Sequence, residues 1–149
     1  MRAVLQRVSE ASVTVDGTVT GAIERGLLVL ICAEHGDTDE ETRYFARKIN
    51  KMRIFTDDSG KMNLSVQDVG GAALVVSQFT LAANWKKGNR PGFSAAASPD
   101  EGERLYELLC KSLQEEGLAV EKGIFGAHMD VRLLNDGPVT IIMDSKDSA

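Results

Sequence analysis

The chain of 149 residues is long enough to bury one hydrophobic core but too short for two independent domains. Its apolar fraction of 43% and charged fraction of 26% are those of a globular protein and exclude a disordered or fibrous one. The net charge of −5 argues against a protein that coats nucleic acid without specificity, because such binding needs a large cationic surface.

The first part of the chain has the alternating pattern of β-strands. Apolar and polar residues alternate over 3–8 and 12–15, and Asp16-Gly17 provides the residue types of a tight hairpin turn. The run 27–32 is continuously apolar, which is typical of a central strand covered on both faces. We therefore expect the chain to open as a β-meander.

A helix is expected after the meander, from about residue 38 to 52. Thr38 and Glu41 have the spacing of a capping box, and apolar residues then recur at helical spacing. Strand patterns follow at 53–56 and 74–81, with the turn residues 57–60 after the first. The segment 84–98 is predicted to be the longest loop.

The remaining chain predicts a second helix and two further strands. Ser98 and Glu101 have capping-box spacing around a proline at the first helical position, a leucine stripe follows, and Gly117 ends the helix. Two strands, at 129–134 and 139–143, are expected to flank the turn 135–138. This order of elements predicts a single α/β domain over residues 1–149, with helices packed on a sheet.

Neither the cysteines nor the histidines form a recognisable catalytic or metal-binding motif. Cys32 and Cys110 lie in apolar patterns and are expected to be buried thiols, while His35 and His128 are isolated. A Ser-His-Asp hydrolase is disfavoured because histidine is scarce and the G-x-S-x-G motif is absent. The sequence indicates no metal, cofactor, membrane span or targeting leader, so we expect a cytoplasmic protein.

Polar residues appear where the apolar run 74–76 ends. Ser77, Gln78 and Thr80 must find hydrogen-bond partners there, either in the neighbouring backbone or in a substrate. The first interpretation is a simple strand end. The second is the floor of a binding site that holds a carbonyl or ribose group.

The loop also contains an aromatic residue followed by three cations. Trp85 precedes Lys86, Lys87 and Arg90, a composition suited to phosphate contact and base stacking. A solvated charged loop is the simpler interpretation, and the pattern by itself does not decide between them.

Taken together, these segments resemble the D-aminoacyl-tRNA deacylase family over almost the whole chain. The pair SQFTL and NDGPVT is highly specific at this spacing. The matching segments, in order, are 2–17, 61–71, 75–81, 87–93, 125–129 and 135–140.

The resemblance implies a three-layer β/β/α fold and a twofold homodimer. Gly137 and Pro138, joined by a cis peptide bond, would reach from one subunit into the active site of the other and contact the α-amino group and α-carbon of the substrate. Arg7 matches the arginine that holds this segment in place. A rigid backbone there would exclude L-amino acids by steric clash and admit D-amino acids and glycine.

The resemblance also implies the remaining site residues and the reaction. Ser77, Gln78, Phe79 and Thr80 would form the catalytic wall, and Phe125 and Met129 would pack on the terminal adenine of the aminoacyl-tRNA acceptor end. We expect the 2′-hydroxyl of that adenosine to assist an attacking water, while protein N–H groups stabilise the oxyanion. A nucleophilic Thr80 remains an alternative, although no general base is evident beside it.

Two departures from the family pattern affect the tRNA contacts. Trp85-Lys86 replaces a threonine-arginine pair, and Gly92 replaces a polar residue. The resemblance therefore supports tRNA-backbone contacts by Lys86, Lys87 and Arg90 less strongly than it supports the pocket residues. Two other hypotheses stay open. One is a non-catalytic nucleic-acid-binding module, and the other is a deacylase of L-alanine mischarged on tRNA, which would have a trans Gly-Pro bond.

Overall fold

The computed structural model describes residues 1–147, which contain eight strands, two α-helices and two short 3₁₀ helices. The 3₁₀ helices are Phe79–Ala82 and Ser145–Asp147. The α-helices are α1, Asp39–Lys51, and α2, Pro99–Glu115. The strands are β1 Arg2–Val15, β2 Thr18–Ile23, β3 Gly26–Cys32, β4 Phe55–Thr56, β5 Met62–Leu64, β6 Ala72–Ser77, β7 Ala119–Lys122 and β8 Asp130–Asp144.

Six of the strands form one nearly closed sheet, in the order β2-β1-β3-β6-β7 with β8 paired to β1. The long strand β1 connects the two halves of this sheet. Residues 2–8 of β1 pair with β3 and residues 11–15 pair with β2, while β8 runs antiparallel along the other edge. The strands β4 and β5 form a separate small ribbon.

Two apolar clusters separate three layers. One cluster lies between the sheet and the helices and includes Phe45, Ile49, Leu105 and Leu109. The other lies on the opposite face of β3 and β6, where the second half of β1 and strand β2 curl over it; its members include Val8, Val13, Ile23, Leu28 and Leu74. The α/β fold of one domain, with two β layers and one helical layer, is confirmed.

The first helix and the opening hairpin form as predicted. The Thr38 hydroxyl accepts a hydrogen bond from Glu41 N at 3.1 Å, which satisfies one of the free N–H groups at the start of α1. Asp16 and Gly17 both have positive φ, as the turn between β1 and β2 requires. The two predicted strands before this turn are one continuous strand, β1.

The predicted turn at 135–138 lies instead inside one strand. The strand β8 runs from Asp130 to Asp144, and both of its parts pair with β1, on either side of the unpaired residues 136–139. The shift of register between Gln6 and Val8 accommodates the extra residues of β8, and the shift between Val8 and Glu10 accommodates an extra residue of β1. The expectation of two separate strands was therefore wrong.

Three other boundaries differ from the sequence prediction. The strand β6 ends at Ser77, and the following residues form a 3₁₀ helix rather than further strand. The segment 53–56 contributes only Phe55–Thr56. The Ser98 side chain makes no capping bond at α2, where Ser98 contributes its carbonyl oxygen to Gly102 N and the Glu101 carboxylate binds Arg104 instead.

Within the described residues, none of the helices has the length and apolar character required to cross a membrane.

Candidate active site

A cleft of about 610 Å³ lies at the carboxyl end of β6. Three segments that are distant in sequence meet there: the end of β6, the loop before α2, and the segment between β7 and β8. The residues that line the cleft are Val76, Ser77, Gln78, Phe79, Phe93, Ala96, Ala97, Pro99, Phe125, Gly126, Ala127, His128, Met129 and Val131.

The polar end of β6 forms one wall of the cleft. Val76 is buried, and Gln78 N donates to the carbonyl of Ile31 at 2.8 Å, so the backbone stays attached to β3 as the strand ends. The chain then turns into the 3₁₀ helix, which leaves the Phe79 ring 57% exposed. This ring packs edge-on against Phe93, with 5.1 Å between the ring centroids.

Thr80 stands beside the cleft and does not line it. Its side chain is exposed, and its hydroxyl accepts a short hydrogen bond from the Gln78 side-chain amide. The N–H groups of Phe79 and Thr80 head the 3₁₀ helix and donate to no acceptor within residues 1–147. The wall therefore presents the free N–H of Phe79 and an oriented amide, and the free N–H of Thr80 lies next to them in the chain.

Phe125 and Met129 form the facing wall. Helix α2 supports Phe125, because the Tyr106 ring lies 6.0 Å from it and Gly102 leaves room for its edge. Tyr106 is itself fixed by a hydrogen bond from its hydroxyl to the Val75 carbonyl at 2.8 Å. The structure thus brings Phe125 and Met129 together with residues 77–79, although Gln78 and Phe125 lie far apart in the chain.

Arg7 holds the Gly137-Pro138 segment on β8. Its Nε atom donates to the carbonyl of Asp136 at 3.0 Å, and its Nη1 atom donates to the carbonyl of Ile54 at 2.9 Å. The peptide bond between Gly137 and Pro138 is cis, as predicted. Gly137 and Pro138 are not among the residues that line the cleft of the same chain.

The two cysteines are not nucleophiles for this site. The Cys32 sulfur lies 3.6 Å from the Phe79 carbonyl oxygen. Burial raises the pKa of the Cys32 thiol, and the nearby Glu34 carboxylate raises it further. Burial likewise raises the pKa of Cys110 to about 12. Since the thiolate is the reactive form, both side chains stay unreactive near neutral pH. The described residues contain no group of three or more side chains suited to hold a metal ion.

Comparisons with known proteins identify the family. The model of the D-Tyr-tRNA(Tyr) deacylase family matches residues 4–144. A D-aminoacyl-tRNA deacylase of Ruegeria pomeroyi is 62% identical, with 97% of this chain and 99% of the relative covered. One of Paracoccus denitrificans is 58% identical over the full length of both. The chain belongs to the D-aminoacyl-tRNA deacylase family. It is therefore an enzyme, a hydrolase.

Two solved structures share the fold of this deacylase. One, titled "c-Myc DNA Unwinding Element Binding Protein", is 43% identical and has a TM-score of 0.91, with 97% of this chain and 99% of the other covered. The other, a probable eukaryotic D-amino acid tRNA deacylase, is 21% identical with a TM-score of 0.79, covering 95% and 97%. At that identity the second likeness concerns the fold alone.

Trp85, Lys86, Lys87 and Arg90 lie on an exposed loop at the edge of the cleft of the deacylase. A pair of hydrogen bonds between Asn84 and Gly92 closes this loop. The three cations do not line the cleft and therefore do not contact a group bound inside it.

Several residues that line the cleft were not predicted from the sequence. Phe93, Ala96, Ala97 and Pro99 were assigned to a loop and to a helix start, yet they form the side of the cleft next to Phe79. The run of small residues at 95–97 was the available signal, since small side chains leave space beside an exposed aromatic ring. His128 also lines the cleft, with its side chain 93% exposed.

Proposed function

We propose that this deacylase hydrolyses the ester between a D-amino acid, or glycine, and the 3′-terminal adenosine of tRNA. One observation carries the proposal: the cleft brings the Ser77–Phe79 wall opposite Phe125 and Met129. The relatives named D-aminoacyl-tRNA deacylase support the substrate class. Because charged tRNA is the substrate, we expect the protein to act in the cytoplasm, as one domain over residues 1–149.

The two walls suit the two parts of such a substrate. Phe125 and Met129 offer apolar and polarisable surface for the adenine ring, because bases stack on aromatic side chains and the thioether contacts rings favourably. The ester then lies against the donors of the wall, which are the Gln78 amide and the free N–H of Phe79, with the free N–H of Thr80 next in the chain. These donors are placed to stabilise negative charge on the carbonyl oxygen during attack.

The attacking group in this proposal is water, assisted by the 2′-hydroxyl of the terminal ribose. Within residues 1–147 the Thr80 hydroxyl accepts from the Gln78 amide and is hydrogen-bonded to no carboxylate or imidazole. A covalent route through Thr80 therefore lacks a general base. The water attacks the carbonyl carbon, the ester C–O bond breaks, and the leaving 3′-oxygen takes up a proton.

Selection between D- and L-amino acids is assigned to Gly137 and Pro138 of a second subunit. Arg7 holds this segment through bonds to Asp136 of β8 and to Ile54, the residue before β4, and Gly137 and Pro138 do not line the cleft of their own chain. A homodimer would place it over the partner's cleft, where its backbone leaves no room for an L side chain. Lys86, Lys87 and Arg90 would contact tRNA phosphates.

A deacylation assay with three substrates tests the proposal. D-tyrosyl-tRNA and glycyl-tRNA should be hydrolysed, whereas L-tyrosyl-tRNA should remain intact under the same conditions. Equal hydrolysis of the D and L forms would contradict the assignment of chiral selection. Preference for L-alanyl-tRNA would instead favour a deacylase of mischarged L-alanine.

A second function is favoured by one comparison only. The solved structure that is 43% identical is named for binding a DNA unwinding element. The net charge of −5 opposes a general DNA-binding role. Measuring the affinity for duplex DNA at physiological salt separates the two functions, and tight binding without any deacylation would favour the second.

A further inference from the structure

Trp85 is the single tryptophan of the chain and one of its most exposed side chains. Its side chain is 73% exposed, although large aromatic residues normally bury most of their surface. It contributes to neither hydrophobic cluster of the core. The fold therefore does not require an aromatic ring at this position.

The base of the loop fixes where Trp85 stands. Asn84 N donates to the Gly92 carbonyl at 2.7 Å, and Gly92 N donates back at 3.0 Å. The Asn84 side chain also accepts from Lys86 N at 3.2 Å, across Trp85. Because consecutive Cα atoms are about 3.8 Å apart, Trp85 stays close to this closed base, while Lys87 lies further out.

The paired residues Asn84 and Gly92, which close the loop, are connected to the cleft on both sides. The 3₁₀ helix Phe79–Ala82 leads into this pair, and Phe93 follows Gly92 directly. Phe79 and Phe93 line the cleft and pack against each other. Along the loop that starts at this rim, Trp85 comes first, directly after Asn84, and the cations come next.

The charge around Trp85 is opposite in sign to that of the whole protein. Residues 69–99 contain Lys86, Lys87 and Arg90 and no Asp or Glu. None of these three cations forms an ion pair with a carboxylate of residues 1–147. The loop thus keeps its positive charge available for an anionic partner, although the net charge of the chain is −5.

We propose that Trp85 stacks on an unpaired base of the tRNA acceptor end, directly before the adenosine bound in the cleft. Lys86, Lys87 and Arg90 bind the phosphates further from the cleft, on the 5′ side of that stacked base. Aromatic stacking together with cations along the backbone is how proteins bind single-stranded nucleic acid. The assignment rests on the proposed function for its ligand, and it adds a second base-binding position outside the cleft.

Tryptophan fluorescence tests the stacking directly, because no other residue contributes to that signal. Uncharged tRNA with an intact single-stranded 3′ end should quench the emission. Adenosine monophosphate, which is small enough for the cleft alone, should not. A tRNA trimmed back to its last base pair should also leave the emission unchanged. Equal quenching by the trimmed tRNA would overturn the proposal.

Kinetics with two substrates gives an independent test. Trp85→Ala should lower kcat/KM for D-tyrosyl-tRNA by about 5- to 140-fold, as expected for the loss of one stacked base. The same variant should hydrolyse D-tyrosyl-adenosine, which has no preceding nucleotide, as fast as the parent protein. Trp85→Phe should recover most of the loss. Tyr44→Ala, which removes another exposed aromatic ring on α1, is the matched control and should change neither rate.

Salt dependence tests the cations. The slope of log affinity against log salt should become shallower by about 0.7 for each phosphate contact removed when Lys86, Lys87 and Arg90 are changed singly to Gln. Unchanged slopes in all three variants, or equal losses on both substrates for Trp85→Ala, would overturn the proposal. Quenching without any hydrolysis by the parent protein would leave the stacking in place and count against the proposed function alone.

Discussion

Thr80 has the hydroxyl of the SQFTL segment to which the alternative, nucleophilic mechanism is assigned. Its side chain is exposed, and within residues 1–147 its hydroxyl accepts from the Gln78 amide and is hydrogen-bonded to no carboxylate or imidazole. Thr80→Ala should lower kcat only about two- to twelvefold, since a neutral hydrogen bond contributes about 0.5–1.5 kcal/mol. Single-turnover deacylation of D-tyrosyl-tRNA measures this change.

The matching change in the substrate should have a larger effect. A tRNA whose terminal 2′-hydroxyl is replaced by hydrogen should be hydrolysed far more slowly by the parent protein, because that hydroxyl assists the attacking water. Loss of several orders of magnitude in Thr80→Ala, or recovery of an ester on Thr80 after rapid quenching, would restore the covalent route.

Arg7 shows how one side chain can position a segment that it does not belong to. Its side chain is 11% exposed, and its guanidinium bonds at once to the carbonyls of Ile54, just before β4, and of Asp136 in β8. Lys has no forked group to do so. Arg7→Lys should lower kcat/KM roughly 12- to 140-fold, because a hydrogen bond from a charged donor contributes about 1.5–3 kcal/mol. Steady-state deacylation assays measure the loss.

The control for Arg7 is Arg132, an exposed residue of β8 that makes no ion pair within residues 1–147. Arg132→Lys should leave both activity and Tm unchanged. Full activity of Arg7→Lys would show that the Gly137-Pro138 segment does not need this support.

At the scale of elements, the closest packing lies where β3 and β6 begin side by side. A Cβ atom on Gly26 would stand 1.8 Å from the carbonyl oxygen of Ala72, its pairing partner in β6. Because the obstacle is backbone, the two strands would have to separate. Gly26→Ala should therefore destabilise the fold by about 1–3 kcal/mol or more, measured by urea unfolding.

Gly92→Ala is the matched control for this effect. A Cβ atom there would meet nothing within 4 Å, and Gly92 has no positive φ that would strain an L residue. Its unfolding free energy should equal that of the parent protein within about 0.5 kcal/mol. Equal stability of the two variants would mean that β3 and β6 can shift apart at no cost.

At the scale of the whole molecule, the proposed site needs two chains. Gln78→Ala and Gly137→Ala should each be nearly inactive as pure homodimers, because each removes one half of every site. After co-refolding in equal amounts, half of the dimers are mixed and contain one intact site out of two. About a quarter of the parent activity should therefore return.

Light scattering at micromolar concentration gives the oligomeric state needed to interpret that result. We expect the mass of two chains. A monomeric mass with full activity, or no recovery of activity in a confirmed mixed dimer, would contradict a site shared between subunits.

Much of the fold was predictable because its signals are local. The apolar run of β3, the Thr38 cap and the Asp16-Gly17 turn each act over a few neighbouring residues. The Ser98 cap and the turn at 135–138 were predicted on equally local grounds and were wrong. At the first site Glu101 has a competing partner in Arg104, and at the second the residues on both sides of 136–139 pair with the same strand, β1.

The sequence by itself determined the fold class, which follows from periodicity, and the family resemblance, which follows from motifs. Through that resemblance it also named Ser77, Gln78, Phe79, Phe125 and Met129, which line the cleft. Only the tertiary structure decided that Gln78 and Phe125 face one cleft, that Ala96 and Ala97 complete it, and that Thr80 stands outside. Those relations depend on strand register and on how the loop before α2 packs against the end of β3. Both are set by contacts between residues far apart in the chain, which no local pattern specifies.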